Sequence, residues 1–313
     1  VSDKHAVAEL FDDAARSLAE SYHADSHYRW LTLSRDIDAR ALRKVVGTAW
    51  QATGRSRPAL KRGLEHERWG QHVGALAHLL CVGFFRRLGL EIESEPPLAG
   101  RSPDLCIGMG GEHALVEVRS LAGFGRRPWE DPVATAERRN VQPDPRLVSR
   151  RHERDRARRR AMDRAEAVAA LNTSLATSVA RALRDKADAY KEVCEHSGLP
   201  YVVCLYQDTD TQIAERVLDW AFGASSRGGQ RDAGGGALHH AAQELAHLSG
   251  ILVLGRLETG EDHVTLRGEL ILNPFADRTV PDWLRTSDVR QFATTDPDGL
   301  PAWDRKQTPV IEL

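Results

Sequence analysis

The sequence predicts an α/β protein: a mixed central β-sheet flanked by helices, behind a helical N-terminal extension. Three observations carry this. Apolar residues recur three and four apart through residue 88, and the period drops to two over residues 90–120. Leu199–Tyr206 (LPYVVCLY) is then an unbroken apolar run with a helix and two strands behind it.

Residues 1–53 read as helical. Ser2 is placed to cap a helix carrying Val7, Leu10, Phe11, Ala14, Leu18 and Tyr22, and a second helix runs from about Asp36 to Ala52. Gly54–Pro58 breaks it. A third helix, from about Glu65 to Leu88, ends at Gly89 as helices often do. Leu90–Glu95 alternates like a strand, and Pro96-Pro97 interrupts. Pro103–Met109 and Glu112–Ser120 follow as two strands around Gly110-Gly111. Beyond the loop Gly123–Pro132 come an arginine-rich stretch and a long helix ending near Gly198. Leu199–Tyr206 suits a buried central strand, and Thr211–Phe222 an amphipathic helix. Gly223–Gly236 is a glycine-rich loop, Ile251–Leu257 and His263–Leu272 are strands, and the rest is an irregular tail rich in Pro and Asp. The organisation expected is a helical extension over 1–60 and an α/β core over 61–275 with an arginine-rich helical insertion at about 131–170. The tail covers 276–313.

At 313 residues, 41% hydrophobic and 28% charged, the composition supports a packed core of one large domain or two smaller ones. No window approaches the ~18 apolar residues of a membrane span. Val1-Ser2-Asp3-Lys4-His5 lacks the layout of a secretory signal, and a leading Val fits a GTG start codon translated literally, hence a complete chain. Cys81, Cys106, Cys194 and Cys204 fall singly, three of them in apolar runs. They read as reduced core cysteines in a cytoplasmic compartment.

The net charge of −2 is unevenly divided. Between Glu137 and Glu166 eleven arginines, among them Arg150, Arg151, Arg154, Arg158, Arg159 and Arg160, face six acids. That window is +5 and the rest of the chain −7. A basic segment on an acidic protein is a footprint for a polyanion; a solvated, salt-bridged helix is the alternative.

The strongest local signal is SPDLCIGMGGEHALVEVRS, residues 102–120. If Gly110-Gly111 form a two-residue turn, paired residues sum to 221, so Leu105 faces Val116, Ile107 faces Ala114, and Asp104 faces Glu117. Leu105, Ile107, Ala114 and Val116 then share an apolar face, with Asp104, Glu117 and Arg119 on the opposite one. Carboxylates opposite each other on a sheet repel, so something positive must compensate. A hard divalent cation is one answer. Arg119 in a structural salt bridge is the other.

At these residues the chain resembles the PD-(D/E)XK restriction-endonuclease-like superfamily. Pro103-Asp104 and Glu117-Val118-Arg119 carry the resemblance, which reaches from about residue 64 to 206 with a looser echo at Asn273-Pro274. The Pro-Asp pair recurs at 143–144, 281–282 and 297–298, but only the first copy opens a strand with a second acid at hairpin distance. The resemblance implies that Asp104, Glu117 and the backbone carbonyl of Val118 hold Mg²⁺ or Mn²⁺. It also implies phosphodiester hydrolysis. Two departures stand out. The family's lysine is here Arg119, which stays protonated and cannot act as a base. Many relatives place a Glu on the preceding helix where this chain has His78, with Glu65 and Glu67 as upstream substitutes. A replacement lysine is Lys186, on the apolar stripe of Val179, Leu183, Tyr190 and Val193, from which it can pair with the hairpin carboxylates or snorkel to the rim.

The function expected is therefore a metal-dependent nuclease, DNA favoured over RNA, in restriction or phage defence. A catalytically inactive nucleic-acid-binding protein on the same fold is the alternative, and a purely structural or interaction role is a third. No membrane association is expected, and a homodimer is compatible with the sequence.

Overall fold

In the computed structural model the residues described are 7, 9–23, 26–98, 101–121, 179–207, 213–222, 236–259, 264–285, 290–292 and 310–312. Helices come first: α1 (Asp13–Ser21), α2 (His27–Leu33), α3 (Ile37–Trp50), α4 (Arg57–Leu64) and α5 (Trp69–Arg87). Strands β1 (Glu91–Ser94), β2 (Leu105–Met109) and β3 (Glu112–Ser120) follow. A helix over 179–197 (α6) then leads into β4 (Tyr201–Gln207) and α7 (Ile213–Phe222). The short α8 (Ala237–His240), β5 (Gly250–Thr259), β6 (Val264–Leu272), β7 (Arg290–Phe292) and β8 (Val310–Glu312) complete the set.

All eight strands join one mixed sheet in the order β1-β2-β3-β4-β5-β6-β7, with β8 also on β6. The β1–β2–β3 portion is antiparallel, and β3, β4 and β5 run parallel. The β3–β4 connection is a crossover that carries α6, as parallel neighbours require. Every residue of β4 is buried, as its unbroken apolar run predicts for a strand covered on both faces. Leu105, Ile107, Ala114, Val116, Val202 and Cys204 pack under the N-terminal helices and α5. Leu115, Val203, Leu205 and Val253 pack under α6 and α7. The fold class is that expected: α/β, a mixed sheet between helical layers, with a helical N-terminal region. One close approach sets the distance of α5 from the sheet. A Cβ on Gly268 of β6 would lie 2.5 Å from Phe84 Cζ, so the glycine lets the helix down.

Several boundaries differ from expectation, each for a local reason. The single first helix is broken at Asp12, whose extended backbone and carboxylate, accepting the Ala15 N–H at 2.7 Å, start α1 afresh. A cap here overrides a continuing apolar period. The proposed cap Ser2 lies outside the described residues. Gly54–Pro58 is more than a break: a 3₁₀ turn over Gly54–Ser56 feeds α4, whose first turn absorbs Pro58 where its missing N–H costs nothing. The third helix accordingly starts at Trp69. The tail is not wholly irregular, because β7 and β8 pair with β6 over three residues each, too short for a periodicity to be read. The four cysteines are free and buried. No helix among the described residues is long and apolar enough to cross a membrane.

Candidate functional site

Gly110 (φ 62°) and Gly111 (φ 90°) supply the two positive φ angles of a tight hairpin turn between β2 and β3. The register follows: Leu105 pairs with Val116 and Ile107 with Ala114. Ladder pairing stops at Leu105, and Pro103 explains why. Odd-numbered residues of β3 turn their backbone towards β4, since Leu115 N–H bonds the Pro200 carbonyl and Leu121 N–H the Tyr206 carbonyl. Val118 therefore turns its N–H and carbonyl towards the β2 flank, where its ladder partner would be Pro103, which has no N–H. The Val118 N–H donates instead to Asp104 Oδ2 at 2.8 Å, and Pro103 has no N–H to offer its carbonyl.

Glu117, 2% exposed, lies beside Asp104: its Oε2 accepts the Asp104 backbone N–H at 3.3 Å. Its Oε1 accepts from the ammonium of Lys186, which reaches down from α6. Burial pushes both carboxyls above the ordinary range. The charge of Asp104 raises Glu117 further, while Lys186 pulls it back. For Asp104 the Val118 N–H and Lys186 oppose the burial, and the nearby Glu95 adds to it.

Lys186 is held from several sides. Its Nζ stands 6.0 Å from the centroid of the Tyr190 ring, one helical turn on. The Tyr190 hydroxyl donates to the Ser102 carbonyl at 3.2 Å, and the Tyr201 hydroxyl donates to the Lys186 carbonyl at 3.3 Å. His247 Nε2 donates to the adjacent Ala187 carbonyl at 2.8 Å. Two of the partners of α6 thus come from β4 and from the segment before β5.

His78 comes from α5, on the opposite face of the sheet. It is 7% exposed, and its Nε2 has no hydrogen-bond partner among the described residues. Burial lowers its pKa to about 4 against the opposing pull of Glu95 and Glu117, so the ring is neutral at pH 7. His78, Glu95, Asp104, Glu117, Val118 and Lys186 line one end of a cleft of about 590 Å³ whose other walls are α4 and the start of α5.

The structure thus brings together Asp104, Glu117, Val118, Lys186 and His78. Arg119 is exposed and takes no part in the cleft wall, while its charge still pulls the Asp104 carboxyl down. Arg150, Arg151, Arg154, Arg158, Arg159 and Arg160 lie outside the described residues. The Asn273 amide is committed to the Leu245 and Leu248 carbonyls, closing a loop away from the cleft. Sequence reasoning missed Glu95, whose φ of 49° is unusual for a non-glycine residue and whose N–H bonds the Asp104 carbonyl at 3.0 Å. Its position just before Pro96-Pro97, at the mouth of the hairpin, was the available signal. Tyr190 was read only as a member of the apolar stripe.

No group of three or more His, Cys, Asp or Glu side chains that could hold a metal is gathered among the described residues. A magnesium-like ion asks for less, since one or two carboxylates suffice and water completes the shell. The buried Glu117 and half-buried Asp104, both held above their usual pKa, a carbonyl for which Pro103 has no N–H to offer, and His78 Nε2, unpartnered among the described residues, fit that requirement. No family model, no curated protein and no solved structure matches this chain. The chemistry of the site therefore rests on its own residues.

Proposed function

We propose that the chain is a metal-dependent nuclease of the PD-(D/E)XK type, hydrolysing phosphodiester bonds, with DNA favoured, in the cytoplasm. The observation that supports it most is the Lys186 ammonium on Glu117, beside Asp104, supplied from α6 where the strand carries Arg119. Asp104, Glu117 and the Val118 carbonyl would hold Mg²⁺ or Mn²⁺. When bound, the ion would lower the pKa of a water and neutralise phosphate charge. Lys186 holds Glu117 in place and offers N–H donors where charge develops on a phosphate oxygen. Neutral His78 can accept or donate a single hydrogen bond at the same end of the cleft. Restriction or phage defence is the setting such an activity would suit.

A catalytically inactive nucleic-acid binder is the second reading, favoured by the exposed Arg119 at the motif's lysine position. Incubating the protein with plasmid, linear DNA and RNA, each with Mg²⁺, Mn²⁺ or EDTA, separates the two. The nuclease reading expects cleavage that EDTA stops and that Asp104→Asn abolishes. Binding without cleavage under every condition would leave only the second reading.

A further inference from the structure

The ion pair of Lys186 with Glu117 depends on where α6 stands over the sheet. We propose that Tyr201 and His247 are positioning residues: they clamp the α6 backbone at Lys186 and Ala187 and so aim the Lys186 ammonium at Glu117. The catalytic consequence rests on the nuclease reading; the aiming of Lys186 does not.

Lys186 reaches Glu117 along a flexible stem, and its side chain is 25% exposed, so packing holds only part of it. The height and rotation of α6 decide where the ammonium comes to rest. The Tyr201 hydroxyl donates to the Lys186 carbonyl at 3.3 Å, and His247 Nε2 donates to the Ala187 carbonyl at 2.8 Å. Bonds to consecutive carbonyls oppose both a slide of the helix along its axis and a turn about it. Neither bond is needed to close the helix. Both carbonyls lie inside α6, where the N–H groups of Tyr190 and Lys191 are their ordinary partners, and each takes its clamp on a second lone pair.

The two donors belong to one fastened block. Tyr201 is 0% and His247 8% exposed, and their rings stack at 6.4 Å with 21° between the planes. Tyr201 also meets the Tyr190 ring of α6 at 5.6 Å. The Asn273 amide, at the end of β6, donates to the Leu245 and Leu248 carbonyls on either side of His247, and the Asp277 N–H donates to the Ala246 carbonyl at 2.7 Å. Ser249 ties the same segment to β4. Its hydroxyl accepts the Tyr201 N–H at 3.0 Å, and its own N–H donates to the Tyr201 carbonyl at 2.8 Å.

The histidine carries a cost that packing does not explain. Donating through Nε2, it leaves Nδ1 buried and, among the described residues, without a partner. An apolar side chain would bury no such nitrogen. The bond to Ala187, next to Lys186, is what an imidazole adds at this place.

Three variants of the full chain test the clamp. Tyr201→Phe removes one donor and keeps the ring stack. His247→Leu removes the other, and His247→Gln keeps a side-chain N–H. On linear DNA with Mg²⁺, Tyr201→Phe and His247→Leu should each lower turnover at saturating substrate about tenfold with KM unchanged, within the ~10² that a misplacement of ~1 Å costs. His247→Gln should recover most of that loss, and neither change should slow Lys186→Met further. Urea melts in EDTA need no cleavage. The loss of midpoint caused by Tyr201→Phe or His247→Leu should shrink by about half or more in a Lys186→Met background, because part of it is the weakened pair with Glu117. A merely structural clamp gives equal losses in both backgrounds, and that result overturns the assignment whatever wild type does to DNA. Should His247→Leu misfold, Tyr201→Phe decides alone, since it removes a single hydroxyl. If wild type cleaves DNA and the clamp variants turn over unchanged, this inference falls and the nuclease reading stands. If wild type cleaves nothing but the melts are coupled, the aiming of Lys186 stands and the activity falls.

Discussion

Asp104 and Glu117 hold their protons more tightly than free carboxylates because burial penalises the charge. Between the ordinary and the raised pKa the native state therefore binds more protons than the unfolded chain, and stability of the metal-free protein falls as pH rises through that window. Asp104→Asn removes one of the two charges and most of that dependence. In EDTA at neutral pH it should stabilise the protein, because it removes a charge that burial penalises. It should also erase any rise in Tm on adding Mg²⁺ or Mn²⁺. Thermal melts across pH, with and without metal, check both; a variant that melts lower and still responds to metal would contradict them. The pair was legible in the sequence because a double glycine suits a two-residue turn and a buried apolar face then fixes the register. Glu95 was not, because its place depends on a left-handed kink that no periodicity records.

At the scale of elements, the cation at the site is delivered by a helix and not by the strand. Lys186 could be read from its position on the stripe of Val179, Leu183 and Tyr190, since a helix packed on a sheet must turn that stripe inward. That its ammonium meets Glu117 follows from where α6 sits over β3 and β4, which the sequence states only through a crossover. Lys186→Met should cut cleavage by ~10²–10³. It should also destabilise the fold by about 1–3 kcal/mol, because Glu117 loses the partner of its buried charge. Adding Glu117→Gln to that variant should recover the stability and none of the activity. Arg119→Lys should change little, its side chain being exposed outside the cleft. Single-turnover cleavage beside urea melts would decide; activity raised by Arg119→Lys and untouched by Lys186→Met would return the role to the strand. The wall of α4 and α5 was illegible for the same reason in reverse. Gly54–Pro58 reads as a stop, and only the docking of α4 against α5 turns Arg62, His66, Gly70 and Gly74 into one surface.

Over the whole molecule charge is segregated, with a window of +5 from Glu137 to Glu166 and −7 on the remainder. A body of that sign repels a polyanion beyond short range, so the proposed binding of nucleic acid would draw on the arginine-rich window. Arg158, Arg159 and Arg160 are three consecutive charges that can release counterions from a backbone. Replacing those three by glutamine should weaken binding in proportion at every sequence, and flatten the dependence of log K on log salt. The drop should be about 2 units if the engaged strand is single, and up to about 2.7 if it is double. Cleavage at saturating substrate should be unaffected, because neutralising a positioning contact changes encounter and residence and leaves the carboxylate pair and Lys186 as they are. Titrations at several salt concentrations, paired with saturating turnover, separate these effects. An unchanged slope would assign the window to a solvated helix. A slope that drops together with saturating turnover would instead tie the arginines to the reacting strand itself.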